Sequence, residues 1–429
     1  MPDNATVVVK FHDAVVLDYA DELEQQLKQR NIGAWDKVIG QFPGATLRRL
    51  FTALDRQEIE AMIKRASDQD SGYKAPNFFT YFVLDCPPGK SAEALVQEFR
   101  SWQVVQTAYV DPPVVSPTAQ RFSAAAQPYL RYQQYLTEIN AQFAWGRPGG
   151  TGAGRRVIDL EWGWTSTHQD LAAHRVSLFR GTIDDRSRPH GTAVLGVICA
   201  DGRPDRCIGI APDVRVDVVS HNGRTYEIAD AIDTAVSKLR FGDVLVLEVA
   251  VGGNLPCETQ LPIFQKIQLA TAAGMVVVEA AGNAGADLDE ARVGSEDSGA
   301  IMVGAAISEV PHLRLPSSNY GSRVNCYAWG EHVYTPTSDT NGEAPATDLY
   351  EDEFGHTSAA TAIVAGVALA VQGMAEAATG SPFDPKRLRK ILSNPLYGTP
   401  SGRPGFDRIG VMPDLKKIYE NELAVAPVV

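Results

Sequence analysis

Between Thr357 and Ala375 the chain carries no charged residue and little but small apolar ones, with a serine, Ser358, near the head of the run. A helix of that composition is apolar all round and has to be buried. It is rich in alanine and poor in leucine and phenylalanine, so a membrane span is not the reading adopted. Other layers must pack closely on it, which demands a large core. The start of such a helix offers unpaired N–H groups and the positive end of its dipole, and both favour negative charge growing on a carbonyl oxygen. Ser358 thus stands where a nucleophile is placed, although the segment alone reads equally well as an ordinary core helix.

Three further segments set the serine in a chemical context. Arg156-Val157-Ile158-Asp159 reads as a short apolar strand ending on a carboxylate, and Pro189-His190-Gly191-Thr192 opens an apolar helix on a histidine. Gly274 to Asn283 reads as a strand that stops at an amide. A serine hydroxyl is a poor nucleophile until a base takes its proton, and the base needs a carboxylate to fix its tautomer. An amide is a donor for the oxyanion. Strand ends and helix starts are also where open α/β sheets gather their sites. Among the other histidines, His168 and His174 lie in a polar loop, and His221, His312 and His332 lack the Gly-Thr neighbour and the apolar helix of His190. Asp170 is the rival acid, but it follows a loop, so Asp159 is preferred. Glu248 and Glu279 interrupt apolar strands, where an unpaired carboxylate is costly. They read as a hydrogen-bonded or protonated structural pair under the cleft, not as a glycosidase-type acid pair, which would leave Ser358 and His190 unexplained.

The order Asp159, His190, Asn283, Ser358, with intervals short enough for a compact core, resembles that of the subtilisin-like serine peptidases. Thr167 to Leu171, Gly209 to Pro212, Val251-Gly252-Gly253 and Ser318 to Gly321 are similar to that family's connecting and substrate-binding segments, so the resemblance covers about residues 130 to 375. It implies an α/β, three-layer fold with a mostly parallel central sheet. It also implies a triad of Asp159, His190 and Ser358, with Asn283 and the Ser358 backbone N–H as oxyanion donors. Substrate is expected along Val249, Ala250, Val251 and Gly252, with Ala280, Ala281 and Gly282 flooring the pocket for the residue before the cut. The sequence departs from the family in three places. His356 stands where a glycine usually precedes Thr-Ser, Ala362 replaces a usual proline, and Leu160-Glu161-Trp162-Gly163-Trp164 replaces the small residues that usually follow the acid. His356 is read as a tolerated, partly exposed side chain, and the tryptophans as packing for a loop near the mouth.

Upstream, strands at residues 6–11, 77–85 and 104–110 alternate with helices at 20–29, 47–65 and 91–102. That plan gives an antiparallel sheet with helices on one face, similar in pattern to the ferredoxin-like α+β propeptides of the family. The domains are therefore expected as 1–115, propeptide-like, inhibitory and folding-assisting, with its C-terminal strand and the extended segment Pro112 to Thr118 lying in the active-site cleft like a bound product; 116–128, a linker and processing region; and 129–429, catalytic. Helices at 382–396 and 413–423 are expected to close the fold.

The net charge of −13 and the absence of a basic stripe argue against nucleic acid or an anionic membrane as partner. Partners are expected to be a polypeptide substrate and either the chain's own N-terminal domain or a separate inhibitor. Five scattered cysteines without C-x-x-C spacing point to reduced thiols, although Cys199 and Cys207 are spaced to close a small loop in an oxidising compartment. The first ten residues lack the features of a secretory signal, so the expected location is cytoplasmic as written, with non-classical export left open. No cofactor is needed. Calcium is common in relatives, and Asp287-Leu288-Asp289-Glu290 is the weak candidate site. The function expected is a serine endopeptidase held inactive by its N-terminal domain. The alternatives are a silenced or inhibitor-controlled binding protein and a peptide acyl-transferase or macrocyclase on the same fold.

Overall fold

Strands made almost wholly of valine, leucine, isoleucine and alanine, without polar alternation, must be covered on both faces, and this is the signature of a parallel sheet between helical layers. The computed structural model describes residues 5–21, 23–115, 131–203, 205–339 and 344–424. Its N-terminal unit contains β1 (Thr6–Phe11), α1 (Glu24–Gln29), α2 (Trp35–Gln41), β2 (Arg48–Arg49), α3 (Arg56–Gln69), β3 (Tyr81–Asp85), α4 (Ala92–Arg100) and β4 (Val105–Val110). The larger unit begins, after β5 (Val114–Val115), with α5 (Tyr135–Glu138), α6 (Ala141–Trp145), β6 (Arg156–Glu161), β7 (Ser177–Leu178), α7 (Arg188–Cys199), β8 (Arg215–Ser220) and α8 (Thr225–Lys238). It continues with β9 (Val244–Leu247), β10 (Ala250–Val251), β11 (Leu255–Pro256), α9 (Leu261–Ala272), β12 (Val276–Ala280), β13 (Ile301–Ala306), β14 (Cys326–Trp329), β15 (Val333–Thr337) and β16 (Leu349–Phe354). The last elements are α10 (His356–Thr379), α11 (Pro385–Leu392), β17 (Gly398–Pro400), α12 (Pro404–Asp407), β18 (Val411–Pro413) and α13 (Leu415–Ile418).

The central sheet runs β17-β18-β14-β13-β12-β9-β6-β8-β7. Every pair in it is parallel except β17 with β18 at one edge. The layered α/β fold expected from the sequence is therefore present. Helix α10 lies in the main core, and its long apolar window, sufficient by length and composition to cross a membrane, is 94% buried inside the protein.

In the N-terminal unit the antiparallel order is β2-β3-β1-β4. Period-two alternation splits β1: Val7, Val9 and Phe11 join α1, α2 and α4 in one core, while Val8 joins α3 and the larger unit in another. Helix α3 thus departs from the expected single helical face, because Ile59, Met62 and Ala66 pack toward α9. The predicted helix at 47–65 begins only at Arg56, where Asp55 closes a capping box with Glu58; Arg48 and Arg49 pair with β3 instead. The expected extended segment from Pro112 contains a strand: Val114–Val115 adds antiparallel to β10, with Val115 opposite Ala250 and Val114 opposite Val251. Residues 116–128, the expected processing region, and Tyr129 lie outside the described residues.

Candidate active site

The carboxyl ends of β6, β9 and β12 and the amino ends of α7 and α10 converge on one cleft. It is lined by His190, Asn283, Ser358, Glu248, Ala280 and Val115, among others. Ser358 is the third residue of α10, so its backbone N–H lies too early in the helix to reach a carbonyl four residues back. Asn283 is turned toward that helix start: its Oδ1 accepts from the Thr357 N–H at 3.1 Å and from Thr357 Oγ1 at 2.9 Å. With the amide oxygen so engaged, the Nδ2 donor is the end left for the cleft. The approach requires Gly282, whose φ is +90° and where a Cβ would stand 2.2 Å from the Asn254 carbonyl oxygen.

His190, the third residue of α7, is bound to a different acid from the one expected. Its Nδ1 lies 2.5 Å from Glu161 Oε1 and 2.9 Å from Oε2. Asp159 faces elsewhere: its Oδ2 accepts the Trp164 indole N–H at 2.7 Å. The strand β6 does not stop at Asp159 but runs on to Glu161, and with a two-residue period both carboxylates share one face. The later one reaches the edge where the histidine sits; the earlier is one repeat too deep. The contact also explains the glycine after the histidine, since a Cβ on Gly191 would stand 2.7 Å from Glu161 Oε2 and 2.4 Å from the Gly163 carbonyl oxygen. Trp164 accordingly is no mouth residue; it is buried and serves as the partner of Asp159. Burial is the largest influence on all three groups. It raises the Asp159 and Glu161 carboxyls well above their ordinary range and lowers His190 to about 4. Phe354 stacks edge-on to the His190 ring at 5.6 Å, and buried Glu351 on β16 adds a further carboxyl in its field.

Of the substrate-binding residues expected, Val249, Ala250, Ala280 and Gly282 line the cleft. Gly252 donates its N–H to the Pro113 carbonyl at 3.0 Å, and Val251 pairs with Val114. Ala281 does not belong to the site: it alternates away from Ala280 into the main core, and its carbonyl accepts from Asn319. Glu248 and Glu279 form no pair. Glu279 accepts from the Glu258 N–H and Cys257 Sγ, while Glu248 opens on the cleft beside Ser358. His356 is exposed, with φ of +60° and its Nδ1 3.3 Å from Ser317 Oγ.

The candidate calcium segment is already neutralised, because the Arg408 guanidinium engages both Asp287 and Asp289. Among the described residues no group of three or more His, Cys, Asp or Glu is arranged to hold a metal. All five thiols are free and buried, so Cys199 and Cys207 do not close a loop.

The subtilase family model matches residues 176–409, a span that includes His190, Asn283 and Ser358 and begins after Glu161. Alkaline elastase YaB from Bacillus sp. (strain YaB) is 31% identical over 247 residues, 55% of this chain and 59% of the elastase. The chain therefore spans about three fifths of that relative's length. Thermitase from Thermoactinomyces vulgaris is 32% identical over 262 residues, 57% of this chain and 85% of thermitase. Among solved structures, fervidolysin from Fervidobacterium pennivorans, described as a keratinolytic enzyme related to subtilisin, has a TM-score of 0.60 at 16% identity, covering 99% of this chain and 62% of fervidolysin. A protease from Pseudoalteromonas arctica PAMC 21717 has a TM-score of 0.55 at 21% identity, covering 71% of this chain and 100% of that one. Both structural likenesses concern the fold. With its family model spanning more than half of the sequence and thermitase matched over most of its length, the chain belongs to the subtilase family.

Proposed function

We propose that this chain is a serine endopeptidase in which Ser358 attacks a peptide carbonyl, His190 is the general base and then acid, and Glu161 takes the place expected for Asp159. The observation that carries the reading is the short His190–Glu161 contact at the rim of the cleft that also holds Ser358 and Asn283. With its Nδ1 held by the Glu161 carboxyl, Nε2 is the nitrogen left to accept the Ser358 proton. The Oγ–carbon bond forms as that proton moves, and negative charge develops on the carbonyl oxygen. The Asn283 Nδ2–H and the Ser358 backbone N–H stabilise it. The imidazolium then gives its proton to the leaving amine as the C–N bond breaks, and water, deprotonated in turn by His190, releases the acyl group from Ser358.

In the same reading residues 1–115 are an inhibitory domain. Its support is the pairing of Val114–Val115 with β10, the strand on which an extended substrate backbone would lie, and the presence of Val115 in the cleft with Ser358. Such a segment occupies the site as a product would. Turnover then requires release of the domain. The test is to treat the full-length protein, before and after maturation, with a fluorophosphonate probe and with a mixed peptide substrate whose products are weighed. Labelling of Ser358 with hydrolysed products, both lost in Ser358→Ala, is expected. Joined or cyclised products would indicate acyl transfer instead, and absence of labelling in matured protein would refute the peptidase reading.

A further inference from the structure

Glu248 immediately follows β9 and turns its carboxyl into the cleft that holds Ser358 and His190. The residue is only 8% exposed, and both carboxyl oxygens are buried without a hydrogen-bond partner among the described residues. The neighbouring group it senses is the Ser358 hydroxyl, which lies beside it short of full hydrogen-bond geometry. Its backbone is fixed, the N–H donating to the Leu160 carbonyl at 3.2 Å.

Among the described residues the groups around it offer no cation to pair with. From β6 come Asp159 and Glu161, both carboxyls in its field. From α7 comes His190, which burial holds neutral, and from α10 come His356 and Ser358. The adjoining β12 contributes Ala280 and the loop after it Asn283, neither ionisable. A carboxylate in that place is desolvated and unpaired, with two further carboxyls in its field, so the neutral acid is the favoured form. Its carboxyl is accordingly raised well above the ordinary glutamate value, by burial first and then by Asp159 and Glu161.

We propose that Glu248 is a positioning residue of the catalytic centre, a proton-bearing acid that donates a hydrogen bond to the Ser358 hydroxyl and whose ionisation switches turnover off. The inference rests on the peptidase reading above. As a neutral acid it offers an O–H to Ser358 Oγ, fixing the oxygen while leaving the serine's own proton for His190. Once ionised it becomes an acceptor only. It then draws the serine proton away from His190 and sets a negative charge next to the developing oxyanion, in a site too dry to screen it. Activity should therefore fall on the alkaline side as Glu248 loses its proton.

The full-length protein, expressed and allowed to mature, is assayed for kcat and KM across pH with a fluorogenic peptide. Glu248→Gln keeps a donor that cannot ionise, so kcat at the optimum should fall only about threefold while the alkaline limb disappears; Glu248→Ala should lower kcat by roughly tenfold or more with little change in KM. An unchanged alkaline limb in Glu248→Gln would overturn the proposal, since a passive buried glutamine would leave it in place. A second readout does not depend on turnover. In protein labelled with ¹³C-glutamate, a protonated-carboxyl infrared band that is missing from Glu248→Gln should be present in wild type at the activity optimum and vanish over the alkaline limb. Its absence would equally overturn the proposal. Failure of the peptidase reading would show differently, as no hydrolysis at any pH with the infrared band intact.

Discussion

At the scale of single residues, the acid that serves His190 is a glutamate two positions beyond the aspartate that the sequence offers first. Asp159 and Glu161 lie on the same face of one strand, and choosing between them depends on where the strand stops. An apolar run ending Val157-Ile158-Asp159 reads as complete, and nothing in the next two residues marks them as strand. The crowding that a side chain at Gly191 would cause, 2.4 Å from the Gly163 carbonyl oxygen and 2.7 Å from Glu161 Oε2, is visible only in the structure. That Ser358, His190 and Asn283 stand at element boundaries was legible because composition defines those boundaries sharply, and the fold brings all three to one cleft. The placement of Asn283 carries a prediction: Asn283→Leu should lower kcat by about 10²–10³ with little change in KM, the effect typical of removing one oxyanion donor. Steady-state kinetics on the matured protein check it, and a loss confined to KM would make the amide a substrate-positioning group instead.

At the scale of elements, the segment joining the two units does more than link them. Asp111, between β4 and β5, accepts the Tyr226 N–H at 3.1 Å at the start of α8, where a carboxylate suits the helix dipole. Thr225 Oγ1 donates to the Pro112 carbonyl one residue on. Burial nevertheless raises the Asp111 carboxyl to about 7 in this docked state. A group whose value is raised on docking contributes affinity fully below its free value, near 4, and that contribution is lost as pH rises through about 7. The N-terminal fragment, residues 1–115, added in trans to the separated larger unit should therefore inhibit less well at pH 8 than at pH 5. Asp111→Asn should flatten that component of the dependence; inhibition constants measured across pH decide it. That this segment lies in the cleft was expected from the sequence; the strand β5 itself and its register on Ala250–Val251 were not legible, since Pro112-Pro113 announces only an extended chain and the partner is remote in sequence. Helix α2 was missed for a related reason: its seven residues are too few to establish a period, and Trp35 and Val38 are its buried contacts.

At the scale of the whole molecule, the N-terminal sheet lays one face on α8 and α9 and shares a continuous apolar core with them. Polar anchors flank it: Asp230 accepts from the Thr52 N–H and hydroxyl, and Tyr81 donates to Gln265 Oε1 at 2.6 Å. At the centre Lys266 is fully buried, its Nζ 4.0 and 4.1 Å from the ring centres of Phe51 and Phe78 and 2.6 Å from Asp233. Sequence could suggest two units, but it shows their contact only as a lone lysine in an apolar helix. Replacing that lysine leaves Asp233 a buried charge without its partner, so Lys266→Met should weaken docking by about 3–5 kcal/mol. Titration calorimetry of the fragment with the larger unit checks this, and unchanged affinity would mean that the pair contributes nothing to holding the domain.

The claim on which the rest depends is that Glu161, and not Asp159, holds the catalytic histidine. It is tested most directly by measuring kcat/KM of matured Glu161→Gln and Asp159→Asn side by side. Glu161→Gln should lose roughly 10⁴-fold, because an amide opposite Nδ1 no longer fixes the tautomer. Asp159→Asn retains an oxygen for the Trp164 N–H and should stay within about tenfold of wild type. The reverse pattern, with the asparagine variant crippled and the glutamine variant active, would contradict the account.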